Sequence, residues 1–226
     1  MDKPDIEAIL DHIEASHARL AATTAKLDDA QLDAPSRLPG WTRRDTLDHI
    51  AGAADAYVRL LNLARIGTPH PAAPGDGDGD VQQGLERMLD DARRMPYEAW
   101  DVLVTAKAGY RHPAWFTLYR CWRELETHHV DLGSGYESAD WPQAYVSWAL
   151  DGTLVALAAR GFPLGRVEAT DLGRTWTLSP AGPAIEAPGH ALLGWLSGRS
   201  PAPGNGSGAG VPQPPDWPLP PTPAWG

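Results

Sequence analysis

Apolar positions recur at helical spacing in four stretches of the first half of the chain. Over residues 5–33, Ile6, Ile9, Leu10, Ile13, His17, Leu20 and Leu27 fall near i, i+3, i+4, i+7, the stripe a bundle helix buries. Asp28, Asp29, Asp33 and Pro35 weaken the end of that helix. Leu38-Pro39-Gly40-Trp41 reads as a turn. Thr42, with Asp45 three residues on, reads as close to a capping box. The helix it opens puts Leu47, Ile50, Ala51, Ala54, Tyr57, Val58 and Leu61 on one face and stops at Gly67-Thr68-Pro69. A third helix is predicted over 81–95, with Val81, Leu85, Met88, Leu89 and Ala92 inward. A fourth, over 112–131, carries Trp115, Leu118, Tyr119, Trp122 and Leu125 and ends at Gly133-Ser134-Gly135. Four such patterns with a long early connection predict a four-helix bundle.

Beyond residue 142 the pattern changes. One more helix is predicted over 142–160. Short β-prone runs follow at 167–170, 174–178 and 184–187, separated by Gly, Pro and Asp turns, and a last helix over 189–198. That is a small α+β unit. The expected organisation is therefore mainly α, with a helical bundle over 1–141 and a small α+β domain with a Pro-rich tail over 142–226.

Composition sharpens this picture in three ways. Gly (23) and Pro (22) exceed average usage. The excess sits largely in the Gly/Pro/Asp loop at 67–80 and in residues 200–226, with nine Pro and five Gly. The Asp-Gly repeat of the loop resembles half a calcium loop without its distal Glu. Trp217 and Trp225 suggest that parts of the tail dock on a surface. The net charge of −10 argues against broad nucleic-acid binding. The first residues lack the basic and apolar regions of a signal peptide, and no run of about 18 apolar residues exists. A cytoplasmic protein with no membrane partner is expected, a monomer or weak dimer. Finally, the lone Cys121 excludes an intramolecular disulfide and every multi-cysteine metal site. Eight His and 29 Asp and Glu remain as metal ligands.

Among these, Glu124 and His128 stand at i, i+4 in the fourth helix and project from one face. That suits two ligands of a divalent metal, and equally a solvated helix face with a local hydrogen bond. His49 lies between Leu47 and Ile50 in the second helix, where a histidine often serves as an ordinary core or boundary residue. Taken together, His49, Glu124 and His128 make a three-ligand set with one position open, the pattern of a catalytic zinc. Asp131 could hold a ligand histidine from behind, or be a surface acid at the helix end. Cys121, one turn before Glu124, reads as a small buried hydrophobe, with a fourth-ligand or redox role as the alternative.

Leu38-Pro39-Gly40-Trp41-Thr42-Arg43 running into Leu47-Asp48-His49-Ile50-Ala51 resembles the opening motif of the mycothiol-dependent maleylpyruvate isomerase family. Arg123-Glu124 through His128-His129-Val130-Asp131-Leu132 resembles its second motif. Leu192-Leu193-Gly194-Trp195-Leu196-Ser197-Gly198-Arg199 and the tail ending Pro223-Ala224-Trp225 resemble its C-terminal signature. The resemblance implies a DinB-like four-helix bundle with a sterol-carrier-like C-terminal domain. It implies zinc (Zn2+) at His49, Glu124 and His128, and mycothiol, a low-molecular-weight thiol. The implied reaction converts maleylpyruvate to fumarylpyruvate by addition of a zinc-activated thiolate, bond rotation and elimination. A dicarboxylate substrate needs a cation, and Arg199 is the candidate clamp; its other reading is an arginine offsetting a helix dipole. The chain departs from the family pattern at Gly52-Ala53-Ala54-Asp55, where the isomerases carry a more polar run, and in the loop that follows. Two further functions remain open on the same residues: a mycothiol S-transferase that conjugates electrophiles, and a non-catalytic metal-binding or sensor protein.

Overall fold

The computed structural model describes residues 3–67, 80–203 and 211–221. The Asp-Gly repeat and its calcium reading, the tail residues 204–210, and Pro223, Ala224 and Trp225 lie outside the described residues. The backbone packs as two compact units divided between Gly135 and Tyr136.

In the first unit, α1 (Ile6–Thr24) starts on Asp5, whose carboxylate accepts from the Glu7 and Ala8 N–H groups. Ile9, Leu10, Ile13 and Leu20 are buried, as the stripe requires. The helix expected over 5–33 is two helices. α1 ends at Ala25, and the four-residue α2 (Asp29–Leu32) starts afresh on Asp28, with a capping box closed by Gln31. The acidic run supplies a new N-cap here, which favours a fresh start over continuation. The Thr42–Asp45 capping box forms and opens α3 (Arg43–Ile66), which Gly67 closes in a left-handed conformation at φ 71°. α4 (Val81–Arg93) buries Leu85, Met88, Leu89 and Ala92.

The fourth long helix begins later than its aromatics suggested. Arg111–Pro113 pair as a strand, β2, with β1 (Leu103–Thr105) in an antiparallel hairpin. Pro113 disfavours helical backbone at His112, so α5 runs only from Phe116 to Asp131. The turn at Gly109 takes a positive φ of 89°, and Trp115 N donates to Trp100 O at 3.1 Å where the hairpin hands over to the helix. α3 packs on α4 and α5, and α1 on α5 and α4, closing a four-helix bundle around one core.

The second unit is the small α+β domain. α6 (Gln143–Ala159) packs on α7 (Gly189–Leu196). Between them in sequence lie β3 (Arg166–Ala169), β4 (Arg174–Thr177) and β5 (Ile185–Ala187). β3 is central, antiparallel to β4 and parallel to β5. Asp151 of α6 accepts from Arg174 at 2.6 Å and from Trp176 Nε1 at 2.9 Å, tying helix to sheet. The tail docks where described: Trp217 Nε1 donates to Thr153 Oγ1 of α6 at 3.0 Å. Among the described residues no helix is long and apolar enough to cross a membrane.

Candidate metal centre

The site grows out of two facing helices of the first unit. On α5, Leu118, Cys121, Trp122 and Leu125 are buried, which fixes the rotation of the helix. Glu124 and His128 then sit on the flank of that apolar face, with side chains 20% and 15% exposed. On α3, burial of Ile50, Ala54 and Tyr57 turns His49 toward α5, with its side chain 42% exposed.

Glu124 Oε2 lies 3.1 Å from His128 Nε2 and 3.4 Å from His49 Nε2. One ligand-type atom from each of the three residues falls within 4.8 Å of the others. The two imidazoles meet edge to face, centroids 4.8 Å apart. Both nitrogens stand at ion-pair distance from Oε2, yet neither is aligned to hydrogen-bond it, and that oxygen is buried without a hydrogen bond. A buried carboxylate oxygen without a hydrogen bond is costly. A cation seated among the two nitrogens and this oxygen satisfies all three, so the residues fit a divalent ion. Two imidazoles and a carboxylate with room for one more ligand suit zinc.

The same three groups, with Asp131, set the electrostatics. Burial alone would push the Glu124 carboxyl up, but His128, His49 and Arg123 outweigh it and hold it well below the usual carboxylate range. Burial alone would push the His128 imidazole down. Asp131 and Glu124 instead raise it to about 9. Asp131 Oδ2 stands 2.9 Å from His128 Nδ1, and its side chain is 4% exposed. With Nδ1 engaged behind, Nε2 is the nitrogen presented to the site.

The structure brings His49, Glu124, His128 and Asp131 together. Cys121 is buried outside the cluster, and burial first, then the Glu124 charge, pushes its thiol up, as for a small hydrophobe. Arg199 lies just after α7 in the second unit, where NH1 donates to Ser197 O at 2.6 Å and the guanidinium stands 5.8 Å from the Trp217 ring centroid. Two neighbours escaped the sequence reading. Trp41, read there as part of a turn, packs edge-on against His49 with centroids 5.5 Å apart. Tyr57, read as core, donates from its hydroxyl to Glu124 Oε1 at 3.3 Å. Its place eight residues after His49, on the same helix face, was the available signal.

Fold and site together define a helical-bundle protein with a two-histidine, one-carboxylate cluster shared between two helices. The chain belongs to the family of the mycothiol maleylpyruvate isomerase N-terminal domain, whose model matches residues 13–133. Its fold is similar to that of two crystal structures of mycothiol-dependent maleylpyruvate isomerase, one of them a histidine-to-alanine mutant. The TM-scores are 0.79 and 0.78 at 22% identity, over 95% of this chain and 98% of each of those chains. A 69-residue stretch, 30% of this chain, is 38% identical to a protein of Bacillus pumilus (strain SAFR-032) named "Putative metal-dependent hydrolase". The match spans 39% of that protein's length.

Proposed function

We propose that this chain is a divalent-metal- and mycothiol-dependent cis–trans isomerase of maleylpyruvate type, with His49, Glu124 and His128 holding the ion. The observation that carries the metal is the convergence of His49 Nε2 and His128 Nε2 on a buried Glu124 oxygen that has no hydrogen bond. Family membership carries the thiol and the substrate class. When bound, zinc lowers the pKa of a coordinated thiol, so that a thiolate is available at neutral pH.

The thiol must come from outside the chain, because Cys121 is buried and its pKa pushed up. Mycothiol, when bound, would supply a thiolate that adds with one proton across the cis double bond and leaves with one proton as the trans bond forms, so no oxidant or reductant would be consumed. Within this scheme Asp131 keeps His128 oriented through Nδ1, and Arg199 is assigned to a substrate carboxylate.

The test is metal analysis of the purified protein, followed by a maleylpyruvate assay with and without mycothiol. Bound zinc and fumarylpyruvate formed only with mycothiol are expected. His49→Ala and His128→Ala should each lose the metal, and Arg199→Ala should raise KM for the dicarboxylate. Unchanged zinc content in both histidine variants would overturn the metal assignment. A stable mycothiol adduct would make the protein an S-transferase, and metal without turnover a non-catalytic metal-binding protein.

A further inference from the structure

The two oxygens of Glu124 have different surroundings. Oε2 faces the two imidazoles and takes no hydrogen bond, while Oε1 points back into the bundle toward α3. There the Tyr57 hydroxyl donates to it at 3.3 Å. Tyr57 is 2% exposed, so its hydroxyl has no bulk water as an alternative partner. The phenol is itself held. The Arg120 guanidinium lies 5.1 Å from its ring centroid and is anchored through NH1 to His112 Nε2 at 3.1 Å. A cation over the ring face polarises the phenol toward donation, and burial together with the Glu124 charge keeps it protonated.

We propose that Tyr57 is a positioning residue that makes Glu124 a one-oxygen ligand: the phenol holds Oε1, and Oε2 alone is presented between His49 and His128. This rests on the metal reading above. A carboxylate free to offer both oxygens would take up two positions on the ion and crowd the place where a thiol must bind. A carboxylate tied at Oε1 leaves that place free. Carboxylate ligands are commonly fixed by such outer hydrogen bonds, and their loss weakens metal binding.

The test uses the full chain and its Tyr57→Phe variant, which keeps the ring and loses only the hydroxyl. Zinc affinity is measured by competition with a chelator, and the cobalt(II)-loaded proteins are compared by visible absorption. Tyr57→Phe should bind zinc about tenfold more weakly. Its cobalt bands should lose intensity and shift, because a second carboxylate oxygen raises the coordination number. A merely structural phenol would leave the cobalt spectrum unmoved. Wild-type chain that takes up no metal overturns the metal reading and this inference with it. Uptake with the same affinity and the same spectrum in the variant overturns this inference alone. Should Tyr57→Phe fail to fold, a fluorinated tyrosine placed at position 57 of the otherwise native chain serves instead. Its fluorine resonance should shift on zinc addition and return with EDTA, and a resonance that stays in place overturns the proposal.

Discussion

His112 shows how much one side chain can tie to pH. It is buried, with its Nδ1 2.9 Å from Pro113 O and its Nε2 accepting from Arg120 at 3.1 Å. Burial, with the nearby Arg120 and Arg123 charges, pushes its pKa down to about 4 despite the Pro113 bond. The unfolded chain takes up this proton near pH 6.5, the folded chain only near 4, so the unfolded state binds more protons between those values. The contribution is complete above about pH 6.5 and is lost as pH falls toward 4, reaching roughly 3 kcal/mol in all. Urea unfolding near pH 7 and near pH 5 should show a loss of about 2 kcal/mol from this group. His112→Gln should flatten the profile, and parallel profiles would refute the assignment. At this scale the sequence showed Glu124 and His128 because helical spacing puts i and i+4 on one face. It showed His49 through its place beside core positions. It left Trp41 as part of a turn and Tyr57 as core, because spacing does not say which partner a phenol or an indole at those positions meets.

α5 carries two polar faces. Glu124, His128 and Asp131 face the site, while Glu126 and His129, three residues apart, face α1. There Arg19 donates to Glu126 Oε1 at 2.6 Å, Ser16 hydrogen-bonds the same oxygen, and Trp122 Nε1 donates to Ser16 at 3.1 Å. The Glu126 side chain is 1% exposed and that of Arg19 37%. Arg19→Met should strand a buried carboxylate and cost roughly 2–4 kcal/mol, below the value for a fully buried pair because Arg19 reaches water. Urea unfolding of Arg19→Met beside the double variant Arg19→Met, Glu126→Leu checks this. The double variant should recover most of the loss, and equal losses would locate the effect elsewhere. Helix stripes and caps made most elements legible, including the Thr42–Asp45 box and the short strands of the second unit. The β1–β2 hairpin was not, because its second strand runs straight into the aromatic stripe of α5, so His112 and Pro113 read as the start of that helix. The break between α1 and α2 was hidden because an aspartate run can end one helix or cap the next.

At the scale of the molecule, all three proposed ligands and Asp131 fall before the division at Gly135. An ion that binds only the folded site stabilises it by mass action, by about 2.7 kcal/mol at a hundredfold excess over Kd. If calorimetry resolves two transitions, zinc should raise only the one containing residues before Gly135, and EDTA should reverse the shift. A zinc shift in the other transition alone would contradict the siting of the metal. The order of bundle and α+β unit was legible because helical periodicity gives way to short β-prone runs after the helix over 142–160. Which tail residues engage the domain was not: among the described residues the Trp217 indole donates to Thr153 and the Pro220 carbonyl accepts from Arg160. The unequal exposure of the proposed ligands would also set a timescale. Two are held on one helix and shielded, while His49 stands on the other helix with its face to water. An ion would lose its bond to His49 first and regain it last. The residence time of a bound ion would therefore be set at α3, where loss of the His49 bond is the first step of release.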